Sequence, residues 1–449
     1  MIMKCKTSNM TPRKSKRSFS FPNPNLNGGT LLFLKATIFI LFFLFVLWFT
    51  KDKFTTLFLT PTKTLTSRSN VVLGPDPPQK TFYDDPHVSY AIDKPMTNWD
   101  EKRSHWLRLH PSLARGASDR VLMVTGTQPG PCKNPVGDHL LLRSFKNKVD
   151  YCRLQGCEVF YNNVYLHPKM DSYWAKLTVI RSAMVAHPDV EWIWWMDADA
   201  VITDMEFKLP LERYKDHNLI VHGWDNMVYG DSENKSWTGL NTGSYLVRNC
   251  QWSMDLFYEW SKMGPLTSNY EKWGKILKDM FKDKPFPLPD DQSSLIYMLY
   301  KERRKWGPKT YLEGGYDLES YWVAMLGRYE ELIFGYNDLE EDVSGLRRRH
   351  AEKLSKWYGE LREPHLRKRG WVPLSKGKRH FVTHFTGCQP CSGNHNPSYV
   401  GETCWNEMEK ALNFGDDQVL RKYGFMRKNL STSSVYEVPF DYPWSDLLR

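Results

Sequence analysis

Two carboxylates separated by one residue, Asp197-Ala198-Asp199, directly follow the run Trp192-Ile-Trp-Trp-Met196. Side chains alternate along a strand, so residues two apart share a side. Where such a strand runs out into a loop, both acids can converge on one point. Carboxylates beside so apolar a segment are costly unless paired or bound to metal. Hard oxygen donors of this kind suit Mn²⁺ or Mg²⁺ and a diphosphate that bridges them. The plainer use of either acid is to cap a loop or helix. A second acidic pair, Asp290-Asp291-Gln292, opens the apolar-periodic stretch Ser293–Trp306, where Asp290 is placed to cap a helix. Cys388-x-x-Cys391, with Cys404 and His395 nearby, has the residue types of a zinc site, but in an oxidising compartment disulfides are the stronger reading.

The elements that must position these residues alternate in type. Arg120–Cys132 reads as a buried strand opening into a Gly/Pro turn, 138–155 as a helix and Cys157–Asn163 as a strand. Tyr173–His187 carries apolar residues at helical spacing. Trp192–Ala200 is a third strand, apolar enough to be covered on both faces, and Leu219–Gly223 and Gly243–Val247 are further strands. This order predicts βαβ units and a mixed, mainly parallel α/β sheet whose ligands gather at the carboxyl ends of the strands. Residues 118–430 form the predicted catalytic domain, with a charge-dense insertion at 338–378 and a tail at 431–449.

The chain has 449 residues, a formal net charge of +10 and an aromatic content of 14%. Seven of the ten excess positive charges lie in residues 1–50, which hold no Asp or Glu, so the basic balance is a local tail and gives no reason for a nucleic-acid partner. Thr30–Thr50 carries one charge, Lys35, in 21 residues, and about 20 apolar residues span a bilayer core. With 1–29 basic, the positive-inside rule predicts a type II signal anchor with the rest of the chain luminal; a cleaved signal peptide is the weaker alternative. Pro61, Pro75, Pro77, Pro78, Pro86 and Pro95, in the stretch from Lys51 to about Ala117, predict a stem. Seven of the eight cysteines are then luminal, and an odd number leaves at least one thiol free or paired between chains. Asn234 and Asn429 begin N-glycosylation sequons.

Several stretches resemble, in the same order, the plant cell-wall glycosyltransferases that include xyloglucan α-xylosyltransferases and galactomannan α-galactosyltransferases. They are GTQPGPC (126–132), SYWAKL (172–177), HPDVEWIWWMDADAVITDM (187–205), ERYKDHNLIVHGW (212–224), LNTGSYLVRNCQWS (240–253), DDQSSLIY (290–297), THFTGCQPC (383–391) and ALNFGDDQVLRKYGF (411–425). The resemblance implies a GT-A fold, a single-pass Golgi membrane protein, a nucleotide-sugar donor and retaining transfer, with room for homo- or hetero-oligomers with other Golgi glycosyltransferases. It implies that Asp197, Asp199 and His384 hold Mn²⁺ (or Mg²⁺) with the donor diphosphate. It places Gly126, Thr127 and Gln128 on the uridine, Lys176 on the diphosphate or ribose, and Asn241 on the donor sugar or acceptor. Ala198, Gly387 and Gln389 complete the donor site; Gln389 stands where the xylosyltransferases carry Lys. Asp291 and Gln292, with Asp290 beside them, are the expected catalytic residues next to the reacting sugar.

Donor choice turns on small differences. Asp-Ala-Asp and His222-Gly-Trp-Asp-Asn226 resemble the mannan-directed branch more than the xylosyltransferases. A pocket change the size of one hydroxymethyl separates galactose from xylose. The expectation is therefore transfer of galactose from UDP-galactose to the 6-position of β-1,4-mannan or glucomannan, with xyloglucan xylosyl transfer from UDP-xylose as the alternative. A membrane-anchored carbohydrate-binding scaffold without catalysis would keep the fold but has no need of the intact acids and His384.

Overall fold

A computed structural model describes residues 80–231, 234–342, 352 and 380–438. The chain divides into Met1–Val72 and Leu73–Arg449, and every described residue belongs to the second unit. The tail 1–29, the apolar run 30–50, most of the charged stretch 338–378 and residues 439–449 lie outside the described residues. Among the described residues no helix is long and apolar enough to cross a membrane.

The strands that position the site are β1 (Val121–Gly126), β2 (Glu158–Asn162), β3 (Trp192–Met196), β4 (Ala200–Ile202), β5 (Leu219–Gly223), β6 (Leu240–Arg248), β7 (Thr310–Glu313), β8 (Ser320–Tyr321) and β9 (Val382–His384). Six of them form one sheet in the order β2-β1-β3-β6-β5-β7. β1 runs parallel to β2 and β3, and β5 parallel to β7, while β6 opposes both its neighbours. The sheet is mixed and mainly parallel, as the alternating pattern predicts; the reversal of β6 is an addition.

The strands are apolar throughout because each face is covered. Ile193 and Trp195 of β3 point into one core with Leu122, Val124, Val221 and Tyr245, under the helices Ala175–Ala186, Gln251–Ser261 and Asp291–Lys301. Trp192, Trp194 and Met196 point the other way, into a core with Met123, Ile220, Leu246 and Tyr151 of the helix Gly137–Gln155. Truncating a fully buried Trp such as Trp194 costs about 3–5 kcal/mol, so the strand that delivers the acids is a rigid platform.

Residues 80–117 depart from the stem reading. Phe82, Ile92, Met96, Trp99 and Trp106 are buried in the first of these cores. Arg103 donates to the carbonyls of Pro188, Val190 and Asn249, and Arg181 to those of Ser89 and Lys94. The prolines break periodicity without loosening the segment, because the aromatic side chains between them anchor it.

The predicted strand 192–200 is two strands. β3 ends at Met196, and β4 begins at Ala200 in a separate sheet of order β4-β9-β8. The acidic motif is the link between the two sheets.

Candidate active site

The link is fixed at both ends by backbone. The Asp197 amide donates to the Gly243 carbonyl at 2.7 Å, extending the β3–β6 ladder. Three residues on, β4 pairs antiparallel with β9 so that Ala200 lies opposite His384, and the Phe385 amide donates to the Asp199 carbonyl at 3.0 Å. This register brings a histidine from 185 positions away onto the two acids. His384 Nε2 lies 3.3 Å from Asp199 Oδ1 and 3.8 Å from Asp197 Oδ2. One ligand atom from each of Asp197, Asp199 and His384 falls within 4.8 Å of the others. Two carboxylates and one imidazole with converging donor atoms fit a hard or borderline divalent cation such as Mn²⁺ or Mg²⁺.

The other imidazole nitrogen, Nδ1, is 3.2 Å from Glu319 Oε1 and 3.1 Å from Thr386 Oγ1. Burial disfavours the charged ring, but Asp199 and Glu319 outweigh it and hold the His384 pKa well above its ordinary value. The ring rests against Gly243: a Cβ there would lie 2.2 Å from Cε1.

Three residues of the helix Gly137–Gln155 shape the link from behind. Ser144 Oγ donates to the Ala198 carbonyl at 2.6 Å, Lys148 Nζ to the Ala200 carbonyl at 2.7 Å, and Asn147 closes on both backbone groups of Ile202. Lys148 is wholly buried; burial pushes its ammonium down to about 7, against the pull of Asp199 and Asp197. The sequence reading missed Lys148, although a lysine on the stripe Leu140, Leu141, Ser144, Tyr151 is itself a signal. It also missed Glu319, which no motif marks.

Lys176, expected on the diphosphate or ribose, lies between two acids at the cavity wall. Its ammonium is buried between Asp197 Oδ1 (3.2 Å) and Asp291 Oδ2 (2.9 Å) and donates to the Thr242 carbonyl at 3.1 Å. Burial works against the charge, but Asp197 and Asp291 raise its pKa above the usual lysine value. Thr242 Oγ1 also donates to Asp291 Oδ2, at 2.7 Å. Burial pushes the Asp291 carboxyl upward, with Lys176 opposing and Asp290 adding to the rise.

Asp290 is the helix cap. Oδ1 accepts from the Ser293 amide at 2.8 Å, and Oδ2 pairs with the buried Lys284. That corrects its place among the catalytic candidates: both its oxygens are engaged, one with the helix start and one with Lys284. Gln292 accepts from the Thr242 amide at 3.3 Å and donates to the Trp237 carbonyl at 2.7 Å, so it orders the start of β6. Asn241 Oδ1 accepts from the Gly243 amide at 2.7 Å.

A cavity of about 330 Å³ opens beside the acids. Gly126, Thr127, Gln128, Lys176, Asp197, Ala198, Asp199 and Gln389 of the expected donor site all line it, joined by Asn162, Tyr165 and Tyr173. Gly126 is required here, since a Cβ would lie 2.2 Å from the Asn162 carbonyl oxygen. Asn241, Asp290, Asp291, Gln292, His384 and Gly387 are not among its lining residues; Gly387, at φ +84°, turns the chain beneath the Tyr399 ring.

Among the described residues the cysteines are paired rather than zinc-binding: Cys132–Cys391, Cys152–Cys157 and Cys388–Cys404, with Cys250 free. Cys132–Cys391 joins the loop after β1 to the segment after β9, both of which wall the cavity. Replacing Cys391 with Ser is expected to cost about 2–4 kcal/mol of stability and to raise the KM for the nucleotide sugar. Thermal unfolding and donor titration check this, and an unchanged KM contradicts it.

Residues 117–395 match the model of the galactosyl transferase GMA12/MNN10 family, which is more than half of the chain. The chain belongs to this family. Among its relatives, Glycosyltransferase 6 of Arabidopsis thaliana is 56% identical, over 82% of this chain and 85% of its own. Galactomannan galactosyltransferase 1 of Cyamopsis tetragonoloba is 56% identical, over 82% of each. Probable xyloglucan 6-xylosyltransferase 1 of Oryza sativa subsp. indica is 45% identical, over 80% of this chain and 71% of its own. A solved glycosyltransferase involved in glycosylation of the PBCV-1 major capsid covers 46% of this chain and 88% of its own, with 14% identity and a TM-score of 0.30. As a GMA12/MNN10 member the protein is a glycosyltransferase. Its acidic link, His384 and the lined cavity stand within the matched residues.

Proposed function

We propose that this protein is a retaining, metal-dependent α-galactosyltransferase of GT-A type that moves galactose from UDP-galactose to the 6-position of a β-1,4-mannan or glucomannan backbone. In the same proposal residues 30–50 anchor it in the Golgi membrane with type II topology. The observation that carries the proposal is the convergence of Asp197, Asp199 and His384 at the edge of the 330 Å³ cavity. The galactose and mannan terms rest on the Asp-Ala-Asp and His-Gly-Trp pattern and on the kinship with a galactomannan galactosyltransferase.

Asp197, Asp199 and His384 would hold a divalent cation, which would supply positive charge against that building on the departing diphosphate. Thr127, Gln128 and Tyr165 enclose the nucleoside. Lys176 pairs with Asp197 and holds Asp291 Oδ2, assisted by Thr242. Asp291, buried beside Lys176 and outside the cavity lining, acts through its negative charge on the positive charge that develops at the anomeric carbon.

On the far side of His384, Tyr321 pairs in register with it and is 46% exposed, its hydroxyl 2.6 Å from that of Tyr399. An aromatic ring fixed in this way suits the apolar face of an acceptor pyranose. Replacing Tyr321 with Ala is expected to raise the acceptor KM about fivefold, roughly 1 kcal/mol, and to leave hydrolysis of the donor in the absence of acceptor unchanged.

The deciding experiment assays the full chain with Mn²⁺ and a panel of UDP-sugars against manno- and cello-oligosaccharides. Galactose appearing on manno-oligosaccharides is the expected result. Activity confined to UDP-xylose and cello-oligosaccharides would reverse the donor and acceptor assignment.

A further inference from the structure

We propose that Glu319 is a positioning residue of the metal centre: it fixes the tautomer of His384 that leaves the Nε2 lone pair pointing at Asp197 and Asp199. The inference rests on the metal-dependent reading above.

Glu319 is 5% exposed and immediately precedes β8. Burying a carboxylate without compensation is costly. Among the described residues no lysine or arginine forms an ion pair with Glu319; its ion-pair partner is His384, at 3.2 Å. The placement is built into the backbone. β8 runs parallel to β9 with Ser320 opposite Thr383 and Tyr321 opposite His384, and Ser320 Oγ donates to the Val382 carbonyl at 2.7 Å.

Nδ1 of His384 has two candidate partners with different chemistry. The Thr386 hydroxyl, at 3.1 Å, can donate or accept. Were it to donate to Nδ1, the single ring proton of the neutral imidazole would sit on Nε2 and close that nitrogen to a cation. A carboxylate can only accept, so Glu319 requires the proton on Nδ1. It thereby decides between a ring that can ligate and one that cannot, and it makes the ligating nitrogen more basic. Gly243 completes the clamp, because a Cβ there would occupy the space that the His384 ring fills.

The test measures Mn²⁺ affinity of the full chain by isothermal titration, without nucleotide sugar. Variants are Glu319→Ala, Glu319→Gln, His384→Ala and the double variant Glu319→Ala/His384→Ala. Loss of Glu319 in the alanine variant should weaken Mn²⁺ binding about 10- to 100-fold. Glu319→Gln, whose amide oxygen still accepts the Nδ1 hydrogen, should stay within a few-fold of the wild type. In the His384→Ala background the alanine substitution should add nothing. If Glu319→Ala does not fold, Glu319→Met fills the volume without accepting a hydrogen bond and carries the same expectation. Affinity within twofold of wild type in the non-accepting variants overturns the inference. An equal loss in the His384→Ala background also overturns it, since the effect would then be general to the fold. Failure of the wild type to bind Mn²⁺ overturns the metal-dependent reading with it.

Discussion

Replacing Asp197 and Asp199 together with Asn is expected to lower kcat/KM for sugar transfer by about 10³-fold or more, about 4 kcal/mol of transition-state stabilisation. The substitution is close to isosteric. The amide oxygen at 197 can still accept from Trp195 Nε1, which now meets Asp197 Oδ1 at 2.6 Å, and the backbone of the link is held by partners that do not change. Lys176 retains Asp291 as a counter-charge. Two negative charges vanish from a site whose third member, His384, is itself a neutral ligand when it binds a cation, so the diphosphate has no counter-ion to leave on. Activity and Mn²⁺ titration, with thermal unfolding as the control for folding, check the outcome. Chelation should abolish wild-type transfer and leave the residual rate of the variant untouched. Undiminished transfer by the variant would remove the cation from the mechanism.

The parts of the site that were legible in the sequence are those that one strand encodes by itself. WIWWM is apolar at every position because its odd and even residues face two different cores, and the acids emerge where that pattern stops. The run to Ala200 nonetheless reads as one strand, because alternation does not say which sheet a residue joins. The chain in fact changes sheets at Asp197, and that change puts Ala200 opposite His384.

Pairing between Ala200 and His384 has no local signal, so His384 is reachable only through resemblance; as a lone histidine it looks like any other. Asp290 and Asp291 are adjacent and alike in sequence, yet a helix start separates their roles, with one acid capping and the other buried against Lys176. Lys176 itself looks like a solvated helical charge until the fold places an acid on either side. The segment 80–117 shows the reverse failure: proline spacing describes chain stiffness, but Trp99 and Trp106 decide where the segment lies. Cysteine count predicts at least one thiol free or paired between chains, and only the fold says that Cys250 is unpaired among the described residues.

Gly243→Ala is the change that most directly tests whether the two sheets must meet so closely. Gly243 has no left-handed backbone to protect, so the effect of a methyl group there is steric alone. The new Cβ would lie 2.2 Å from His384 Cε1, 2.4 Å from Nδ1 and 2.9 Å from Asn241 Oδ1. The strand cannot retreat freely, because the Gly243 carbonyl accepts from the Asp197 amide and any shift drags that acid with it. The ring must therefore swing off Glu319 and away from the acids, or the acids must move away from the ring. Either way the three donor atoms no longer converge. We expect Mn²⁺ affinity to fall about 10- to 100-fold, as for loss of a residue that orients a ligand, kcat/KM to fall at least as far, and stability to drop by about 1–3 kcal/mol from overpacking. The His384→Ala background separates the causes. With the imidazole gone the added methyl has space, so Gly243→Ala should then cost little stability, whereas an undiminished penalty would mean that the glycine serves the strand and not the histidine.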